Sequence, residues 1–303
     1  MHFYPSRNRC IFVCLLASLL AMACTASAQT STPNFSDKDL QSLLIRMQAN
    51  QKENFLLQQQ YTSDELWHNR NFDKNGKLTL DETAKYENIA LEGLLYRRKV
   101  EQNGKPLSGK EAAAEQSRYD KAVAERRAMT PAQKRLSLHR SYNFSLPLAY
   151  LATLFDNRAL RREQLNGRDT LVVESTPKAD AKPANDAEKS SLDWKETTWI
   201  DIADAMPARF EAEQLVDKKQ FLKGLTIQMD DMRIVDAAGA NGASAKPIWL
   251  LNRTVARGQF KMMWIKVSYV TEQSWSDFKR FHVDMRLLDD TMQEVPSSAA
   301  HQP

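Results

Sequence analysis

Apolar and polar residues alternate with period two through much of the second half of the chain. In 278–288, Phe281, Val283, Met285 and Leu287 are interleaved with Arg280, His282, Asp284 and Arg286, as in a strand with one dry and one wet face. Upstream, 248–257 reads as a strand, Gly258 as a break and 259–271 as a further strand, with a polar turn before 278. The middle run is apolar on both sides, through Phe260, Met262, Met263, Trp264, Ile265, Val267, Tyr269 and Val270. Such a strand needs a partner on each face, such as a helix on one and a core or bound ligand on the other. The stretch 247–288 predicts a curved antiparallel sheet holding something apolar.

Earlier segments supply the rest of an α+β fold. Residues 35–60 predict an amphipathic helix, with Ser36 as cap and Leu40, Leu43, Leu44, Met47 and Phe55 at helical spacing. It packs on the sheet or serves a membrane surface or partner. Strands follow at 61–71 and from 77, around Asp73-Lys74-Asn75-Gly76, and again at 86–91 and 95–100. A helix rich in Ala, Glu, Lys and Arg spans 110–127 with few large apolar residues, and Thr130-Pro131 opens another. An apolar helix is expected over 145–155, either a lid through Leu148, Leu151 and Phe155 or an ordinary core helix. A hairpin at 158–175 turns at Asn166-Gly167, a polar loop fills 176–190, strands cover 196–201, 208–216 and 225–234, and a second loop covers 236–245.

The amino terminus changes the setting. Arg7 and Arg9, an apolar run over 11–22 and the small triplet Ala26-Ser27-Ala28 form an export signal over 1–28. Lipidation at Cys24 is the rival reading of the same stretch. All three cysteines, Cys10, Cys14 and Cys24, lie inside it, so the exported part folds without disulfides. Losing two leader arginines takes the net charge from +4 to +2, a near-neutral balance that argues against nucleic acid as a partner. Residues 29–290 read as one domain with a helical insertion at about 110–155, and 291–303 as a flexible tail.

The chain offers little chemistry. His68, His139 and His282 are far apart, and no metalloprotease helix, nucleophile elbow or phosphate-cradling glycine loop occurs. Asp230-Asp231 and Asp289-Asp290 are acidic pairs whose members point to opposite faces of a strand. Asn71, Asp73, Asn75, Gly76, Leu78 and Glu82 fall at EF-hand positions. Asn at the first position removes a carboxylate and the flanks suit strands, so a hairpin is expected rather than a calcium site. No catalytic residue, metal or cofactor is assigned. Met and aromatic side chains of the late strands are either plain core or the lining of a cavity for an adaptable apolar ligand, formed by Trp199, Phe210, Met229, Met262, Trp264 and Phe281.

Several segments carry a resemblance. They are Tyr61-Thr62, Asp73-Lys74-Asn75-Gly76-Lys77, Leu91-Glu92-Gly93-Leu94-Leu95-Tyr96-Arg97-Arg98 and Asn103-Gly104-Lys105-Pro106-Leu107-Ser108, followed by Leu165-Asn166-Gly167-Arg168, Thr198-Trp199-Ile200-Asp201 and residues 269–281. Together they resemble exported bacterial proteins similar to the outer-membrane lipoprotein-sorting (Lol-type) carriers and related periplasmic stress sensors. The resemblance implies a half-open antiparallel β-barrel with helices on its concave side. It also implies an apolar cavity that takes a lipid, acyl chain or lipoprotein without catalysis, in the periplasm or at the outer membrane. The alternative is an envelope sensor or scaffold that binds a protein partner.

Overall fold

A computed structural model describes residues 35–145, 152–218, 221–235, 247–262 and 265–280. Residues 1–34 with Cys24, residues 236–246 and residues 281–303 with Phe281 lie outside the described residues. All described residues belong to one compact unit.

The helix α1 (Asp37–Gln58) starts at the expected cap. Ser36 Oγ accepts from the Asp39 N–H at 3.2 Å, and Asp39 Oδ2 accepts from the Ser36 N–H at 3.2 Å. This reciprocal pair satisfies two of the donors a helix start leaves open. Three strands follow, β1 (Tyr61–Phe72), β2 (Leu78–Leu91) and β3 (Leu94–Gln102), with the two-residue β4 (Lys105–Pro106). The helices α2 (Gly109–Ala128) and α3 (Pro131–Ser145) come next. The chain then forms β5 (Phe155–Leu165), β6 (Arg168–Pro177), the short α4 (Asp186–Ser191), β7 (Trp194–Asp201), β8 (Met206–Gln214), β9 (Thr226–Ile234), β10 (Ile248–Met262) and β11 (Ile265–Arg280).

All eleven strands form one curved, unclosed antiparallel sheet in the order β4-β3-β2-β1-β11-β10-β9-β8-β7-β6-β5. Every neighbour pair but one joins strands consecutive in sequence. The exception is β1 with β11, paired from Tyr61 opposite Arg280 to Phe72 opposite Ser268. Asn103-Gly104 and Asn166-Gly167 turn with positive φ at both residues, as tight hairpins demand.

α1 lies on the concave side, across one end of the strands. Leu40, Leu43, Leu44 and Met47 pack on Leu171, Val173, Ile200 and Ala205, all buried. Farther along, Asn54 Nδ2 donates to the Trp249 carbonyl at 2.8 Å and Asn54 Oδ1 accepts from the Trp249 N–H at 2.9 Å. A cleft of about 240 Å³ remains there between Asn50, Asn54, Asp204 and Trp249. Its polar walls are engaged with one another: Asp204 Oδ2 accepts from Arg233 Nε at 2.6 Å and from Trp249 Nε1 at 3.1 Å, and the Asp204 carbonyl accepts from Asn50 at 2.7 Å.

Three expectations need correction. Gly258 breaks nothing, because β10 runs through it to Met262. A Cβ at Gly258 would sit 3.0 Å from Leu225 Cδ1, so its bare backbone serves close packing, not a turn. No polar turn separates 271 from 278, because β11 is continuous there. Flanked on both sides, that strand meets its polar needs across the sheet: Glu272 accepts from Arg70 at 2.7 Å, and Gln273 donates to Glu65 at 3.0 Å. Finally, Phe155 does not end a helix. It opens β5 opposite Pro177 and is buried with Leu154, Ala181 and Leu192. Strand pairing outweighs the local apolar spacing. Leu148 and Leu151 lie outside the described residues.

The EF-hand-like spacing sits on the β1–β2 hairpin, flanked by strands. Asp73 Oδ1 is occupied by the N–H groups of Asn75 and Lys77, both at 2.9 Å. Among the described residues, no group of His, Cys, Asp and Glu is placed to hold a metal ion.

Candidate functional site

Directly paired residues on neighbouring strands share a face, and successive residues alternate. One rung crosses the sheet through Thr198, Phe210, Met229, Thr254, Gln273, Trp67 and Ala84. The next runs through Glu196, Ala212, Ile227, Ala256, Thr271, Asn69 and Glu82. Both lie on the inner, α1 side, because Thr198 pairs with Val173, which packs against α1. Farther from α1, Gly258 pairs with Tyr269 and Phe260 with Val267. The Tyr269 ring lies 5.9 Å from that of Phe260 and 6.4 Å from that of Phe221, and burial raises its hydroxyl pKa.

The middle of the inner face therefore carries small and aromatic side chains. Thr254 and Ala256 occupy alternate places on β10, with Ala212 on β8 and Thr198 on β7 facing the same way, while Leu225 fills the place beside Gly258. Phe210, Met229, Ile227 and Tyr269 stand on the same face of the curved sheet as these small side chains.

The outer face is its opposite. One rung carries Trp199, Arg209, Asp230, Arg253, Ser274, Leu66 and Lys85. Arg209 meets Asp230 at 2.6 Å, Arg253 bridges Asp230 at 4.0 Å and Glu272 at 3.6 Å, and Arg70 meets Glu272 at 2.7 Å. These pairs are half-buried and link the charges of neighbouring strands across this face. His68 lies on this side, with Nε2 at 2.6 Å from Asp81.

Three inner carboxyls stand out. Glu65, 2% exposed, is gripped by Arg97 through two bonds of 2.7 Å. The Arg97 guanidinium lies 3.3 Å from the centre of the Tyr86 ring. Glu196 is 6% exposed and its Oε2 has no hydrogen-bond partner; burial pushes its carboxyl up to about 8. Asp231, two residues from Met229 on β9, is pushed up to about 7 by burial and then by the adjacent charge of Asp230. Asp230 itself faces outward, as alternation requires.

The residues singled out from sequence fall into three groups. Phe210 and Met229 are direct partners on the inner rung, both half-buried. Trp199 sits on the outer face, where its indole N–H donates to Glu163 and Arg161 and Arg209 lie 6.0 and 5.7 Å from its ring. Met262 ends β10 opposite Ile265, while Trp264 and Phe281 lie outside the described residues. Sequence reasoning passed over Glu196, the Glu65–Arg97 pair and the small residues. The alternation of Thr254, Ala256 and Gly258 with Arg253, Val255 and Arg257 was the available signal.

No family model and no curated protein sequence matches the chain. Among solved structures, it is similar to a LolA superfamily protein from Nitrosomonas europaea, at 11% identity and TM-score 0.30, covering 78% of this chain and 94% of that one. It is also similar to a DUF1329 family protein from Desulfovibrio piger, at 13% identity and TM-score 0.31, covering 80% and 92%. A third is an outer membrane lipoprotein-sorting protein domain from Vibrio parahaemolyticus, at 15% identity and TM-score 0.31, covering 78% and 91%. Likenesses this loose transfer no residue roles; the half-barrel description rests on the sheet itself.

Proposed function

We propose that the inner face forms a trough that holds the hydrocarbon part of a lipid, acyl chain or lipoprotein in the cell envelope, and carries out no reaction on it. The observation that carries this reading is the asymmetry of the sheet. One face is crossed by linked charges, while the other carries small and aromatic side chains at its middle. Apolar surface buried there stabilises a complex by about 25 cal/mol per Å². The export signal read over 1–28 supports the envelope setting, and 29–290 would act as one carrier-like domain with its helices inserted between β4 and β5.

Native mass spectrometry after gentle extraction, with fluorescence of a polyene fatty-acid probe, tests the reading. Ala256→Trp fills the trough and is expected to weaken probe binding roughly tenfold, about 1.4 kcal/mol. Lys85→Ala, on the outer face, is expected to leave it unchanged. No bound lipid in the first measurement, together with equal probe binding by wild type and Ala256→Trp, would sink the idea.

A second reading has its own observation. α2 buries none of its side chains, yet Arg126 donates to the Leu91, Leu94 and Leu95 carbonyls at 2.9–3.2 Å. A helix so firmly tethered and so little buried would suit a scaffold for a protein partner. A stable partner recovered from membrane extract, with no lipid in the trough, favours this reading.

A further inference from the structure

The strands end in two unlike rims. α1 closes the one at the β7–β8 turn. Among the described residues, the far rim is made by the β1–β2 turn, residues 215–218 and 221–225, and the ends of β10 and β11 at Met262 and Ile265. These lie side by side. Phe72 pairs with Ser268 near the start of β11. Phe221 bridges to Phe260, and the Leu222 N–H donates to the Gln259 carbonyl at 3.0 Å.

Among the described residues, eight large hydrophobic side chains are exposed, and four of them sit on this rim: Leu78 (44%), Val216 (41%), Phe221 (39%) and Ile265 (49%). Apolar groups gathered at one place mark an interaction surface, whereas scattered ones do not. Lysines surround them. Lys74, Lys77, Lys223, Lys261 and Lys266 are exposed, and among the described residues none of them is paired with a carboxylate. The acidic groups of the rim are engaged locally. Asp73 accepts from the N–H groups of its own turn, and Asp217 Oδ1 accepts from the Lys223 N–H at 2.7 Å. Lys218 is held by Asp193 at 2.6 Å.

Apolar tips ringed by unpaired ammonium groups match the boundary of an anionic bilayer. Side chains there reach the acyl region while lysines meet headgroup phosphates. We propose that the far rim docks on an anionic lipid surface, through Leu78, Phe221 and Ile265 with Lys77, Lys261 and Lys266. This goes beyond the trough reading, and holds whether or not the trough carries a ligand. The docked pose would turn the Phe221, Phe260 and Tyr269 end of the trough toward the bilayer.

Flotation of the purified protein with vesicles tests this. Vesicles of phosphatidylcholine with about one-third phosphatidylglycerol are expected to carry the protein up, and pure phosphatidylcholine to leave it behind. High salt should release it, because screening shortens the reach of the lysines. Ile265→Asp and the double variant Lys261→Glu with Lys266→Glu should each lower the bound fraction about tenfold at limiting lipid. Ile45→Asp, at an exposed position of α1 (58%), should bind as wild type, and circular dichroism confirms that each variant is folded. Equal binding to both vesicle types, no binding to either, or equal losses in the Ile45 and Ile265 variants would overturn the proposal. Acyl-probe binding in solution, without vesicles, reads the trough separately.

Discussion

At the scale of single residues, the inner carboxyls set how the fold answers to pH. Folded Glu196 holds its proton to about pH 8, against 4.5 ordinarily. The folded state therefore binds more protons than the unfolded chain between those values. Stability associated with this group is full below about 4.5 and is lost as pH rises through 8. Glu196→Gln removes the ionisation. Its melting temperature, followed by circular dichroism, should match wild type near pH 4.5 and exceed it near pH 8.5. Asp231, shifted in the same direction to about 7, leaves a smaller decline in the variant. None of this was legible in the sequence, where Glu196 is one glutamate among many. Its burial depends on which face β7 presents, and that follows from the register with β6 and β8. Phe210 and Met229 could be singled out because large apolar residues announce themselves. Ala212 could not, because a small residue matters through the room it leaves.

Among elements, α1 shows what local pattern can specify. Cap, apolar stripe and length were all readable, since a helix carries its own hydrogen bonds and its spacing reports its buried face. Its polar anchor was not readable, because Asn54 meets the backbone of Trp249, 195 residues away. Asn54→Ala should cost about 2 kcal/mol in urea unfolding, since it leaves a buried N–H of Trp249 without a partner. The Trp249 carbonyl keeps its bond from Gln58, at 2.8 Å, which limits the loss. The late strands misled for a related reason. Gly258 and the run from Glu272 to Asp277 look like punctuation in isolation, and only their neighbours explain them. Leu225 occupies the space a side chain at 258 would need, and Arg70, Arg253 and Glu65 satisfy the polar side chains of β11.

For the molecule as a whole, the fold class was legible and the strand order was not, because period two specifies faces but says nothing of who pairs with whom. The joint between β1 and β11 has a consequence for assembly. Each arm of the sheet is a meander built from near neighbours, quick to zip; bringing 61–72 against 268–280 closes a loop of roughly 200 residues and sets the pace. Cutting the polypeptide in the link at 129–130 severs neither meander. Two pieces expressed together should reunite along that joint and through the packing of α1 on β6 and β7, and elute as a single species on size exclusion. Arg70→Ala, which removes the cross-joint ion pair with Glu272, should loosen their union more than it harms the unbroken protein, where the covalent chain already holds the halves near each other.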